Sequence, residues 1–354
     1  MQVKSIPKFI KKFWPFLLSV LVFVTLRFAI HNPDLVEKYY SNGIYPFIAK
    51  LFSACSNLVP FSLWDIFWVL IILASLSGFF LVLFKKIKFS WYSLKIAGFL
   101  ALGYSCFYIL WGFNYFRPTV ETRLELGKTT IDESAFRSIL DTIIVHTNSS
   151  YLPISNSDYS VIDTEVEKMY YFNSADLGII YPNGVRRPKK MLFSSYFAKL
   201  GVSGYFGPFF NEVHVNRYLL PMEYPFVLAH EKAHQFGITS EAEANLAAYI
   251  VCTASGDQRL RYSGYLLMLL YFLTDAQEIP EYKDFIRKID RAVILDLRFR
   301  HRYYKVMQNE TLEKMQTATN DAYLKSNHIE GGVKNYNHVV SLVISWHQNL
   351  NFRK

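Results

Sequence analysis

The chain has 354 residues, 51% of them apolar and 17% aromatic, with a formal charge of +9. That length leaves room for more than one structural unit, and the composition is too apolar for an ordinary soluble protein yet too polar for a polytopic transporter, so membrane spans joined to a water-exposed domain are expected. The basic excess flanks apolar runs, which argues for membrane orientation and against a nucleic-acid partner, while Cys55, Cys106 and Cys252 lack CxxC spacing, which argues against a disulfide framework or a cysteine metal site.

The first apolar run is Phe13–Leu26, interrupted by Arg27 and continued by "FAI". It is short enough for a signal peptide, but "HNPDLVEKYY" follows and offers no small-residue cleavage site. An uncleaved span over about 13–30, with Arg27 snorkelling near its end, is the better reading. The next stretch, "GIYPFIAKLFSACSNLVPF", is too short to cross a bilayer and is expected as an interfacial or packed helix. Spans are then expected over 66–84 and 96–116, the last ending in the aromatic cluster "WGFNYF", typical of an interfacial belt. Lys4, Lys8, Lys11 and Lys12 precede the first span, and Lys85, Lys86, Lys88 and Lys95 separate the second from the third. The intervening loop has only Lys38 and Lys50, diluted by Asp34 and Glu37. This asymmetry places the N-terminus in the cytoplasm and residues 118–354 in the periplasm, as the extracytoplasmic domain of a multi-pass inner-membrane protein whose first partner is the lipid bilayer.

In that domain Thr130 and Glu133 form a capping box before "AFRSILDTIIVH". "KMLFSSYF" and "FFNEVHVNR" read as strands joined by the glycine-punctuated "LGVSGYFGP". The basic loop "RRPKK", Arg186–Lys190, reads as solvated; contact with headgroups or a substrate carboxylate is the alternative. After Pro225 the chain reads as helical almost to its end, and "YLLMLLYFL" is about half a span, hence a core helix. The whole is a helical anchor plus an α+β domain, mostly helical after residue 225.

The chemistry concentrates in "VLAHEKAHQFGITSEAEANLAAY", residues 227–249. His230 and His234 lie one turn apart on a helix, so both imidazoles can reach one ion. Glu231 points about 100° away, badly placed as a ligand but able to reach a metal-bound water, as in the HExxH arrangement of two ligands and a general base. HExxH fixes only three residues, so about one chain in a hundred of this length carries it by chance, and the third ligand matters. Gly237 can supply the positive φ of a tight reversal, and Ser240 can cap a second helix with Glu243 completing its capping box. Glu241 then completes a His₂Glu zinc site, with Glu243 as rival, and Asn245, one turn on, can hold a ligand in place. Ala244 and Ala247 let the two helices approach. His214 either lines the cleft or is simply half-buried. Tyr262 and Tyr265 either polarise a substrate carbonyl or, the favoured reading in a chain with 25 tyrosines, pack in the core.

These stretches, with "PFFNEVHVN" and "RYSGYL", "WGFNYFRP" and the C-terminal "GGVKNYNHVVSLVI", resemble family 3810 of the domain-of-unknown-function series, zincin-like membrane-anchored proteins mainly from Bacteroidota, grouped with the gluzincin-type metallopeptidases. The resemblance covers nearly the whole chain. It implies a zincin-like domain, Zn²⁺ held by His230 and His234, and Glu231 as base. Gluzincins carry their third ligand in an ExxxD pattern; here "EAEAN" offers Glu241 and has Asn245 where aspartate is usual. The expected activity is hydrolysis of a peptide or protein by a zinc metallopeptidase. The rivals are an inactive zincin-like scaffold, and a sensor acting through a membrane signalling partner.

Overall fold

The computed structural model describes residues 8–126, 133–153, 158–326 and 338–352. Lys4, the Thr130 of the expected capping box, His328 and the "GGVKNYN" of the C-terminal family stretch lie outside them.

Three helices are long and apolar enough to cross a membrane: α1 (Lys8–Ile30), α3 (Leu63–Leu83) and α4 (Phe89–Leu110). α3 is apolar on all sides, and Leu70, Ile72, Leu73, Leu76 and Phe80 each leave more than half of their surface uncovered by the described residues. Such a helix is at home in lipid. α1 and α4 pack along each other.

The third apolar helix was expected to continue to residue 116. It ends at Leu110, and Trp111–Phe116 leaves it through a 3₁₀ turn, Gly112–Phe116. Trp111 and Phe116 are buried rather than lodged in a headgroup layer. The reason is polar as well as apolar: the Trp111 indole N–H donates to the His234 carbonyl at 2.8 Å, a partner that an interfacial position would not offer.

The outer loop between α1 and α3 is helical too. A π-helical stretch, Val36–Ile44, leads into α2 (Tyr45–Ser56). α2 is a packed helix: Tyr45 and Ala49 are buried, and the Tyr45 hydroxyl donates to the Gln235 carbonyl at 2.7 Å. Glu37 accepts two hydrogen bonds of 2.7 Å from Arg117, a fork-on-fork pair that ties this loop to the chain beyond α4. The expected boundary near residue 117 therefore lies inside a packed region.

The longer of the remaining helices are α5 (Glu133–Ser150), α6 (Tyr159–Phe172), α7 (Tyr224–Gln235), α8 (Glu241–Thr253), α9 (Gln258–Asp275), α10 (Arg291–Met307), α11 (Glu310–Ser326) and α12 (Val339–Phe352). α8 is the centre of the core; from Ala244 to Cys252 every side chain is buried, with α7, α9 and α12 packed around it. Its alanines allow the close approach. "YLLMLLYFL" is the buried stripe of α9, as expected.

A small sheet stands beside the helices in the order β1 (Lys189–Lys190), β3 (Glu212–Val215), β2 (Gly204–Gly207). β1 runs parallel to β3, and β2 antiparallel with Gly204 opposite Val215 and Gly207 opposite Glu212. "NEVHV" is thus a strand as expected, whereas "KMLFSSYF" supplies only two strand residues before Ser194–Lys199 turns helical. The Leu192 N–H donates to Asp65 at 2.8 Å, which draws the chain off the sheet. The glycine-rich joint contains β2 itself.

The basic loop is only half solvated. Arg187 and Lys190 are exposed. Arg186 is buried over the Tyr181 and Phe236 rings and pairs with Glu167 at 2.5 Å. Lys189 is buried on Glu212 and the Ser56 carbonyl. The partners Glu167 and Glu212 are distant in sequence, so a count of local charge could not reveal them.

Candidate metal centre

The site is built by the turn between α7 and α8. α7 begins with Pro225 in its first turn, where a missing N–H costs nothing. It ends in a Schellman motif: the Gly237 N–H donates to His234 O (3.0 Å) and the Ile238 N–H to Ala233 O (3.0 Å), with Gly237 at φ +84°. Trp111, Tyr45 and Arg117 cover the carbonyls of His234, Gln235 and Gly237. The turn also brings the Ile238 carbonyl back to 2.8 Å from His234 Nδ1. Ser240 then caps α8, accepting the Glu243 N–H as expected.

His230, His234 and Glu241 come together. Their donor atoms are separated by 3.2 Å (His230 Nε2 to His234 Nε2), 3.1 Å (His230 Nε2 to Glu241 Oε2) and 3.6 Å (His234 Nε2 to Glu241 Oε2). Bonds of about 2.0–2.1 Å at tetrahedral angles place neighbouring ligand atoms about 3.3 Å apart, so this triangle suits one face of a zinc polyhedron. Among the described residues this is the His/Cys/Asp/Glu group that could hold a metal ion.

Hydrogen bonding decides what these atoms offer. The Ile238 carbonyl can only accept, so His234 Nδ1 carries the hydrogen and Nε2 presents a lone pair. His230 Nδ1 lies 2.8 Å from Asn245 Oδ1, and the Asn245 amide nitrogen donates to Tyr271 at 3.1 Å. His230 Nε2 is then a lone pair as well. In the neutral tautomers so assigned, two Nε2 lone pairs and a carboxylate face one another, and either a proton or a metal ion between them would be held by all three. The electrostatics agree. Burial by itself would depress His234, but the Glu241 carboxylate outweighs it and pushes the imidazole up to about 9. Burial favours neutral Glu241, yet the two imidazoles hold it well below the usual carboxylate range.

Asn245 thus sits against His230, where its spacing placed it. Glu243 does not join the cluster: its carboxylate takes the Val120 N–H at 3.1 Å and Arg123 at 2.5 Å, on the other side of α8.

Glu231 is buried and belongs to the same cleft as His230 and His234. Burial raises its affinity for a proton; the imidazoles oppose this and Glu241 adds to it. Its position depends on Gly204. A Cβ there would meet the Glu231 carboxyl group at 2.7 Å, so the backbone of β2 lies directly on the carboxylate. A glycine inside a strand marks this kind of close approach, and that signal is present in "SGYFG", though the sequence reading took it for punctuation.

The other candidates lie elsewhere. His214 is fully buried, stacked on Tyr205 and bonded to Ser62 Oγ at 2.8 Å, so it supports the sheet and does not line the cleft. Tyr262 donates to Asp296 at 2.6 Å inside the core, and Tyr265 stacks on His146. Core packing describes both.

The family model described as "Protein of unknown function (DUF3810)" matches residues 40–344. The chain belongs to this family. The DUF3810 match runs from the π-helical stretch into α12 and so takes in α3, α4, the sheet and every residue of the His–His–Glu cluster. No curated protein and no solved structure matches the chain.

Proposed function

We propose that this DUF3810 protein is a membrane-anchored, zinc-dependent metallopeptidase with a zincin-like domain. The observation that carries the reading is the convergence of His230 Nε2, His234 Nε2 and Glu241 Oε2 within 3.1–3.6 Å of one another, beside the buried carboxylate Glu231. Zinc bound there would supply a Lewis acid for the substrate carbonyl and a water acidified toward neutrality. Glu231 would serve as the group that accepts a proton from water and hands it to the leaving amine, and its raised proton affinity suits both roles. Asn245 and the Ile238 carbonyl keep the imidazoles in register and in the correct tautomer. β2 is an edge strand whose open side borders the cleft, which gives an extended peptide a ladder to join.

The purified full-length chain should contain one zinc, measured by elemental analysis. Glu241→Ala should weaken zinc binding by well over about tenfold, more than loss of an outer partner usually brings. Glu243→Ala should leave zinc affinity unchanged and lower the melting temperature, since it strips Arg123 of its carboxylate. Metal loss in Glu243→Ala with retention in Glu241→Ala would overturn the ligand assignment. Full length matters here: a fragment starting beyond residue 117 lacks Tyr45 and Trp111, which hold the end of α7.

Gly204→Ala offers an independent check on the base. The new methyl group must displace Glu231 or β2, so turnover should fall while zinc content stays at the wild-type level. An alanine variant with full activity would mean that Glu231 need not stand where the strand holds it.

The lysine asymmetry places the N-terminus in the cytoplasm of an inner-membrane protein and the metal centre in the periplasm. A periplasm-active reporter fused after Phe116 should be on, and one fused after Lys88 off. The reverse pattern would put the centre in the cytoplasm.

A further inference from the structure

The cleft is not symmetric about the metal centre. On one side it is walled by Trp111, Tyr115, Phe206 and Pro208. On the other it runs past Asn245 and Tyr271 to Glu223 and Arg300, which are joined by a 2.6 Å ion pair. The aromatic end is the one fastened to the membrane helices. Trp111 follows directly on Leu110, the last residue of α4, and its ring packs on Tyr115 (5.2 Å between centroids), Phe206 (5.5 Å) and His234 (6.4 Å). The second attachment is made through the β2–β3 hairpin. Glu212 accepts the Leu63 and Trp64 N–H groups at the start of α3. Phe209 packs on Trp64 and Phe67, and Phe210 on Phe67, one turn into the apolar helix. Two apolar helices are therefore fastened to the aromatic end of the cleft, α4 through Trp111 and α3 through the β2–β3 hairpin. One tryptophan side chain, spanning about 6–7 Å from its Cα, separates the end of α4 from the HExxH helix.

From this we infer that the substrate is itself tethered to the membrane, and that the bond cut lies in its juxtamembrane stretch, within a few residues of the bilayer surface. The inference rests on the peptidase reading above and adds the substrate class. Strand β2 runs along the cleft from the charged end at Gly204 to the aromatic end at Phe206, so a chain lying beside it has one end directed at the lipid. Tyr115 and Phe206 are only partly buried at that end, and they would receive the apolar residues with which a tethered polypeptide leaves the bilayer. The far end carries the charged pair of half-exposed Arg300 and buried Glu223 and suits the polar remainder. An extended chain advances about 3.3 Å per residue, so the residues that reach the metal centre from the aromatic end are those nearest the tether. The step is hydrolysis: the C–N bond breaks, the oxygen of water goes to the carbonyl carbon, and its two protons end on the new amine and, by ionisation of the new acid, in solution. No other reactant is needed.

The test uses the full-length chain in vesicles of phosphatidylethanolamine and phosphatidylglycerol. The probe is a mixed-sequence pool of 20-residue peptides, made once with a diacyl anchor at one terminus and once with that terminus acetylated. New termini are read by mass spectrometry against Glu231→Gln as the blank. The expected result is at least tenfold more cleavage in the anchored pool, with bonds cut near the tether. Equal cleavage of both pools, preference for the detached pool, or cuts spread evenly along the anchored peptides would overturn the tethered-substrate inference and leave the peptidase standing. Cleavage of neither pool by zinc-loaded protein would remove the peptidase reading and this inference together.

Discussion

Glu231→Gln should retain the fold and the zinc, and lose turnover. The substitution is close to isosteric and touches none of the atoms that converge on the metal position, since those belong to His230, His234 and Glu241. What disappears is the group that accepts the proton. General acid–base catalysis contributes about 10²–10⁴-fold, and kcat should fall by at least that range. A neutral amide also relieves a real cost. Glu231 is buried beneath β2 and beside another carboxylate, so its charge is held against desolvation. The Gln variant should therefore melt no lower than the wild type, and in cells it should accumulate normally while failing to replace the native protein. These two readouts separate an enzyme from a scaffold. A structural zinc site has no use for a base, so a Gln variant that fully complements a deletion would establish the inactive, zincin-like scaffold or sensor. A variant that neither folds nor binds zinc would show that the carboxylate is structural.

The parts of the site that could be read from sequence are those linked by local geometry. His230 and His234 are one helical turn apart. Gly237 and Ser240 are local signals of a helix end and a helix start. Asn245 follows Glu241 by one turn. Each follows from a period or a cap that involves few residues. Where expectation and structure part, the deciding contact is long-range. Trp111 was assigned to a membrane belt because aromatic residues after an apolar run usually belong there; its partner, the His234 carbonyl, is more than a hundred residues away. Arg186 and Lys189 looked solvated because Glu167 and Glu212 lie on other elements. The end of α4 and the true start of "KMLFSSYF" moved for the same reason, each drawn by a hydrogen bond that no local pattern encodes. Gly204 is the intermediate case: the strand glycine was visible, but that its neighbour is Glu231 became visible only once β2 lay on α7. The consequence for the anchor is substantial. The region before residue 118 reads as a separable tether, yet it carries Tyr45, Trp111 and the start of α3, which brace α7 and the β2–β3 hairpin.

The double variant His230→Ala, His234→Ala should bind no zinc, and the comparison with wild type should show how much of the protein's stability depends on the ion. Removing both imidazoles leaves Glu241 as a lone donor, buried and without the two groups that now hold it ionised. It should take up a proton instead of a metal, and elemental analysis of the full-length protein in detergent should give zinc at background. A ligand that binds only the folded state stabilises it by RT ln(1 + [L]/Kd), about 4.1 kcal/mol at a free concentration a thousand times Kd. Wild type should therefore melt at a clearly higher temperature with zinc than with chelator, and the double variant should show no difference between the two. The single variants distinguish the two histidines. His234 also holds the α7–α8 turn through Ile238 and packs under Trp111, so His234→Ala should lower the metal-free melting temperature more than His230→Ala, which releases only Asn245 and its neighbour Tyr271. Full zinc occupancy in the double variant would put the metal somewhere else in the chain. A wild type whose melting temperature ignores zinc would mean that the convergence of these three side chains is a buried ion pair with a proton at its centre, and the catalytic reading would fall with it.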